Sequence, residues 1–148
     1  MTRILIVCLG NICRSPTAEA VLRAKLDAAG ISGVVDSAGT GDWHVGDPPH
    51  PPMIRAAARA GYDLSPLRAR QFTPADFDEF DLILAADPNN LRDIEAQRPA
   101  GHETPVRLLA PFAETGTEEV PDPYYTKDFD GALRLIERAC DGVVDQLQ

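Results

Sequence analysis

The chain has 148 residues, 44% of them hydrophobic, and a formal net charge of −9 at pH 7. That length suits one domain over residues 1–148 with an ordinary core, and the acidic balance argues against nucleic acid as a partner. No apolar run reaches the roughly 20 residues of a membrane span, the N-terminus lacks a signal-peptide pattern, and the three cysteines form no disulfide framework, so a cytoplasmic protein with no membrane partner is expected.

In chain order, residues 4–8 are mainly apolar and predict a buried strand. A short loop follows, from Leu9 to Ser15. A helix is expected over residues 16–29, with Ser15 as N-cap, Pro16 at the first helical position and Glu19 as a charge the N-terminus favours. Gly30 is its stop. Residues 33–37 are short and β-branched and predict a second strand, so a right-handed crossover and a parallel sheet follow. Residues 39–52 form a loop dense in Gly and Pro that holds the sole tryptophan, Trp43.

Residues 52–60 predict a helix stopped by Gly61, and Thr73-Pro74 starts another. Residues 81–86 are a third buried strand, and Asp87-Pro88 opens a helix reaching to about residue 97. Residues 105–109 suit a fourth strand. Phe129, Leu133, Ile136, Cys140, Val143 and Leu147 recur at helical spacing and predict a closing amphipathic helix. Strands alternating with helices imply a doubly wound α/β domain with helices on both faces, whose ligands bind at the carboxyl ends of the strands.

The loop after the first strand sits at such an end. Its amides, together with the helix N-terminus, form an anion site. Cys8 opens the loop and Arg14 closes it. A thiol among inward-pointing amides and near a guanidinium favours the thiolate, which is the nucleophile. Arg14 offers a planar fork for two phosphate oxygens. A phosphoryl group could therefore sit among Leu9, Gly10, Asn11, Ile12, Cys13, Arg14 and Ser15 with Cys8 beneath its phosphorus.

Taken singly, each of these residues has a plainer role: Cys8 in the core, Arg14 at the surface, Gly10 in a turn. The run Cys8-Leu9-Gly10-Asn11-Ile12-Cys13-Arg14-Ser15-Pro16, followed by Ala18-Glu19, resembles the signature of the low-molecular-weight protein tyrosine phosphatases. Ser37-Ala38-Gly39-Thr40, Ala69-Arg70-Gln71, Asp81-Leu82-Ile83-Leu84 and Pro121-Asp122-Pro123-Tyr124-Tyr125 extend the likeness along most of the chain.

The resemblance implies a four-stranded parallel sheet in the order 2-1-3-4. It also implies hydrolysis of phosphotyrosine in protein substrates through a phosphocysteine on Cys8. Asp122 alone would be read as an Asp capping its own proline-rich turn; the resemblance makes it the general acid and base. Trp43 either pins its loop or walls a pocket, and the resemblance places it beside the substrate ring with Tyr124 and Tyr125. Such a deep pocket admits phosphotyrosine and leaves phosphoserine short of Cys8.

The resemblance assigns Ser15 to the sulfur, Asn11 to bracing the loop and Asp87 to supporting the site, although Asp87 could equally cap a helix. Relatives often carry a His where this chain has Leu67, so the loop must be braced in another way. Cys13 either packs the loop or traps oxidised Cys8 as a reversible disulfide, and the second is favoured. Cys140 is expected in the core. No metal or other cofactor is expected, because His44, His50 and His102 are scattered and Cys8 and Cys13 lack a second ligand pair.

Two alternatives share the fold. A thiol-dependent arsenate reductase would need relay cysteines, and residues 87–98 hold none. Protein arginine phosphatases of this kind carry Thr where this chain has Ile12, and a branched apolar side chain suits a phenyl ring better. A monomer is expected, or weak self-association through Tyr124 and Tyr125.

Overall fold

In the computed structural model, which describes residues 1–148, the sheet is built on β1 (Thr2–Cys8). Its residues Ile4, Leu5, Ile6 and Val7 are fully buried, so the strand has no polar alternation. It pairs in parallel with β2 (Gly33–Gly39) on one side and β3 (Leu82–Ala85) on the other. β4 (Val106–Leu108) joins β3, giving an all-parallel sheet in the order 2-1-3-4.

Strand alternation feeds two cores. Ile4, Ile6 and Leu84 pack with α1 (Arg14–Ala28), α2 (Pro51–Arg59) and α6 (Phe129–Leu147). Leu5, Val7 and Ile83 pack on the opposite face with Phe77 of α3 (Asp76–Glu79) and Ile94 of α4 (Pro88–Glu95). Helices thus cover both faces, as the alternation of elements predicts. No helix is long and apolar enough to cross a membrane.

Several boundaries differ from expectation, two of them beside the loop that follows β1. β2 runs on to Gly39, paired with Cys8. A Cβ at Gly39 would stand 2.7 Å from the Leu9 carbonyl oxygen, so only glycine lets the strand end approach the loop this closely. Ser15 is not the N-cap of α1. The helix begins at Arg14 with Cys13 in the cap position and no side-chain cap, and the Ser15 hydroxyl turns inward. Pro16 then falls third in the helix, where its missing N–H is still one that no helical carbonyl needs.

Glu19 lies beyond the first turn and is buried. Thr73 does not cap α3; its N–H instead donates to the Asp76 carboxylate at 2.9 Å. Asp87 does cap α4, accepting the Asn90 N–H at 2.8 Å.

The carboxyl ends of β1 and β3 converge through main-chain bonds. The Ala86 N–H donates to the Val7 carbonyl, and the Val120 N–H donates to the Ala86 carbonyl at 2.8 Å. That second bond brings the segment before α5 (Pro123–Thr126) to the mouth of the Cys8 loop.

Candidate active site

Cys8 ends β1 and is buried, its sulfur turned toward donors. The Asn11 N–H points at the sulfur at 3.3 Å, and the Ser15 hydroxyl lies 3.0 Å from it. Both groups can hydrogen-bond to the sulfur, the Asn11 amide as the donor. The loop can curl this tightly because Asn11 takes a left-handed φ of 57°, which Asn tolerates better than most residues.

Arg14 opens α1 and is only 4% exposed. Its guanidinium donates to Asp87 Oδ2 at 2.7 Å and to the Val120 carbonyl at 3.0 Å, and reaches Asp122 Oδ2 at 3.5 Å. Burial works against the Arg14 charge. The Cys8 sulfur, the Asp87 hydrogen bond and the Asp122 carboxylate outweigh it and hold the pKa above the usual guanidinium value. Asp87 serves both roles that the sequence left open, cap and support, with one oxygen for each. Asp122 likewise uses both oxygens: Oδ1 accepts the Tyr124 N–H at 3.1 Å and caps α5, while Oδ2 faces Arg14.

These groups line a cavity of about 260 Å³. Cys8, Leu9, Gly10, Ile12, Cys13 and Arg14 form its base, and Trp43, Tyr124 and Tyr125 are among its walls with Asp122. Trp43 and Tyr125 are largely exposed, at 68% and 70%, so they form a rim rather than part of the core. His44 also lines the cavity and was not foreseen. Its ring stands 3.2 Å from where a Cβ on Gly10 would be, so a side chain at that residue would press on this wall.

Asn11 and Ser15 do not line the cavity with the others; their side chains form a buried brace behind it. Asn11 Nδ2 donates to Ser15 Oγ at 2.7 Å and to Ser37 Oγ at 3.0 Å. Ser37 donates to Glu19 Oε1 at 2.6 Å, and the other Glu19 oxygen holds Arg23 at 2.7 Å. Asn11 Oδ1 accepts the Arg70 N–H at 3.0 Å, and the Arg70 guanidinium pairs with Asp76 and Asp36.

Leu67, which stands in place of a bracing His, packs against the larger core, and the Arg70 main chain holds Asn11. Ser37 and Arg70, expected only as motif residues, and Glu19, expected as a charge for the helix N-terminus, are instead parts of this brace. A signal existed for Glu19, four residues after Ser15 and so on the same helix face. Ser37 faces the brace only through its register beside Ile6.

Cys13 is buried, and burial, followed by the charges of Cys8 and Asp122, pushes its thiol up to about 12. Cys140 is fully buried on α6, its sulfur 3.9 Å from the Ala18 carbonyl, and burial raises its pKa strongly.

The model of the low molecular weight phosphotyrosine protein phosphatase family matches residues 3–148. The Synechocystis protein slr0328 is 47% identical over 151 residues, covering 98% of this chain and 96% of that one. The Bacillus subtilis low molecular weight protein-tyrosine-phosphatase YfkJ is 37% identical, covering 100% of this chain and 97% of its own. The YfkJ crystal structure matches with a TM-score of 0.92 over 100% of this chain and 95% of that one. The crystal structure of DARP, a drosophila arginine phosphatase, matches at 29% identity with a TM-score of 0.92, covering 100% of this chain and 98% of that one.

Proposed function

This chain belongs to the low molecular weight phosphotyrosine protein phosphatase family, and on that premise we propose that it hydrolyses phosphotyrosine in protein substrates through a phosphocysteine on Cys8. The observation that carries this reading is the meeting of a sulfur hydrogen-bonded by the Asn11 N–H and the Ser15 hydroxyl, a buried guanidinium and a helix-capping carboxylate at one cavity.

The proposed reaction has two steps. The phosphate oxygens sit against Arg14 and the amides of residues 9–14, where charge must be stabilised. The Cys8 thiolate attacks phosphorus and the P–O bond to tyrosine breaks. Protonated Asp122 gives its proton to the departing oxygen, because a phenolate with a free pKa near 10 leaves poorly without one. Asp122, now ionised, takes a proton from a water that attacks the phosphocysteine. The S–P bond breaks, and the thiolate is restored beside Ser15.

Aryl substrates fit the cavity because its rim is aromatic and Ile12, in its base, is apolar. DARP is an arginine phosphatase on the same fold, so the side chains of the cavity, not the sheet, are read as selecting the phosphorylated residue. Cys140, buried between α1 and α6, gives a disulfide relay of the arsenate reductase kind no support. Cys13 shares the base of the cavity with Cys8 and is assigned as the thiol that traps an oxidised Cys8.

The test is hydrolysis of phosphotyrosine, phosphoserine and phosphoarginine peptides in the presence of a chelator. Wild type, Cys8→Ser and Asp122→Ala are compared. Phosphotyrosine turnover that vanishes in Cys8→Ser and falls steeply in Asp122→Ala is expected. Turnover that survives Cys8→Ser would sink the mechanism, and a preference for phosphoarginine would overturn the substrate.

A further inference from the structure

His50 joins the two loops that the reaction needs together. It immediately precedes α2, and its N–H donates to the Ile12 carbonyl at 2.8 Å, fastening its main chain to the Cys8 loop. Its imidazole lies with its centroid 5.2 Å from the Tyr124 ring, tilted 53°, and 5.8 Å from Phe129, tilted 40°. Tyr124 in turn donates its N–H to Asp122 Oδ1.

This link matters because of how the Asp122 segment is held. Before Asp122, Val120 is tied to Ala86 by its N–H and to Arg14 by its carbonyl. After Asp122 there is no comparable tie. The main chain of residues 123–128 hydrogen-bonds only within residues 122–132. Pro123 is buried, and beyond it the ring of Tyr124, with the Lys127 ammonium 5.2 Å from its centroid, meets His50. Burial, with Lys127, Arg55 and His44 nearby, holds the His50 pKa below the usual imidazole value, so a neutral ring packs on Tyr124.

We propose that His50 is a positioning residue for the general acid: by packing on Tyr124 it sets the place of the Asp122 carboxyl over the Cys8 sulfur. This rests on Asp122 being the proton donor. A displaced carboxyl slows only those leaving groups that need its proton, so the signature is selective. Loss of packing alone would lower stability and slow all substrates alike.

The experiment compares kcat/KM for a phosphotyrosine peptide and for a nitrated aryl phosphate whose phenol departs as the anion. Wild type, His50→Ala, His50→Gln, His50→Phe and Asp122→Asn are measured, with thermal unfolding beside them. All the His50 variants keep the N–H bond to Ile12. We expect His50→Ala and His50→Gln to lose about tenfold on phosphotyrosine and less than about threefold on the nitrated substrate, and His50→Phe to restore most of the loss. Equal loss on both substrates, no loss on either, or no rescue by Phe would overturn the proposal. If Asp122→Asn itself shows no such split, the assignment of the acid fails and the proposal with it. If Asp122→Asn shows the split and the His50 variants do not, only the role of His50 fails.

Discussion

The Ser15 hydroxyl lies 3.0 Å from the Cys8 sulfur while accepting the Asn11 amide at 2.7 Å. With that lone pair filled, its own proton is free for the sulfur or for the Ala38 carbonyl at 3.3 Å. A hydrogen bond to a charged partner contributes about 1.5–3 kcal/mol, and here it acts when the thiolate is the leaving group. Ser15→Ala is therefore expected to slow hydrolysis of the phosphocysteine by about ten- to a hundredfold. Rapid-mixing assays would show a burst of phenol followed by slow turnover. An unchanged kcat would remove Ser15 from the second step.

Asp87 acts through its two oxygens, so two substitutions separate its roles. Asp87→Asn keeps an acceptor for the Asn90 N–H but removes the charge beside Arg14, which is 4% exposed. Asp87→Ala removes both. Removing the nearer of the two carboxylates on the buried Arg14 costs up to about 3 kcal/mol, since Asp122 remains at 3.5 Å, and loss of the cap about 1 kcal/mol more. Urea unfolding should rank the chains wild type, Asn, Ala in falling stability. Equal stability of the Asn and Ala variants would mean that the cap contributes nothing.

Asn11 combines a left-handed backbone with side-chain bonds to Ser15, Ser37 and the Arg70 N–H. Asn11→Gly relieves the backbone constraint and loses the bonds; Asn11→Ala loses the bonds and keeps the constraint, with about 1–2 kcal/mol of added strain. Both variants should lose kcat, because the Asn11 N–H no longer stays aimed at the sulfur, and Ala should be the less stable. If Asn11→Gly kept full activity, the brace would have no part in holding the loop.

Oxidation should depend on Cys13. Its thiol, pushed up to about 12 by burial, Cys8 and Asp122, is protonated at neutral pH. Peroxide converts the Cys8 thiolate to a neutral sulfenic acid, which removes one of the charges that keep Cys13 protonated. The Cys13 sulfur then attacks the Cys8 sulfur, the S–S bond forms and water leaves. Activity lost to peroxide should return with dithiothreitol in wild type and not in Cys13→Ser. Equal recovery in both would exclude the disulfide.

His50 carries a stability change with pH. Its folded pKa lies below the unfolded value of about 6.5. The unfolded chain therefore binds more protons between the two values, and stability rises with pH across that window. The contribution is complete above about pH 6.5 and is lost as pH falls through the folded pKa, with burial first and then Lys127, Arg55 and His44 opposing the new charge. His50→Phe has no such group. The melting temperature of wild type relative to His50→Phe should therefore fall as the pH is lowered from about 7 to 5; a constant difference would show that His50 does not titrate in the fold.

Much of this site was legible in one dimension. The order of Cys8, the glycine-bearing loop and Arg14 follows from a buried strand meeting a helix. The all-parallel sheet follows from alternating elements, and the apolar run of β1 reflects two covered faces. These are local patterns, set by side-chain period and turn chemistry within a few residues.

What tertiary structure decided are the meetings between distant side chains. Ser15 has the chemistry of a cap, but Cys8 and Asn11 compete for its hydroxyl and α1 begins earlier. Ser37 reaches Asn11 because the parallel register sets it beside Ile6, Arg70 because Gln71 bridges Gly39 at the end of β2. Asp122 reaches Arg14 because the Val120 N–H finds the Ala86 carbonyl, and His50 reaches Tyr124 only once both loops are in place. No sequence period encodes such contacts: they depend on how strands align and how closely loops approach, and packing of the whole chain sets both.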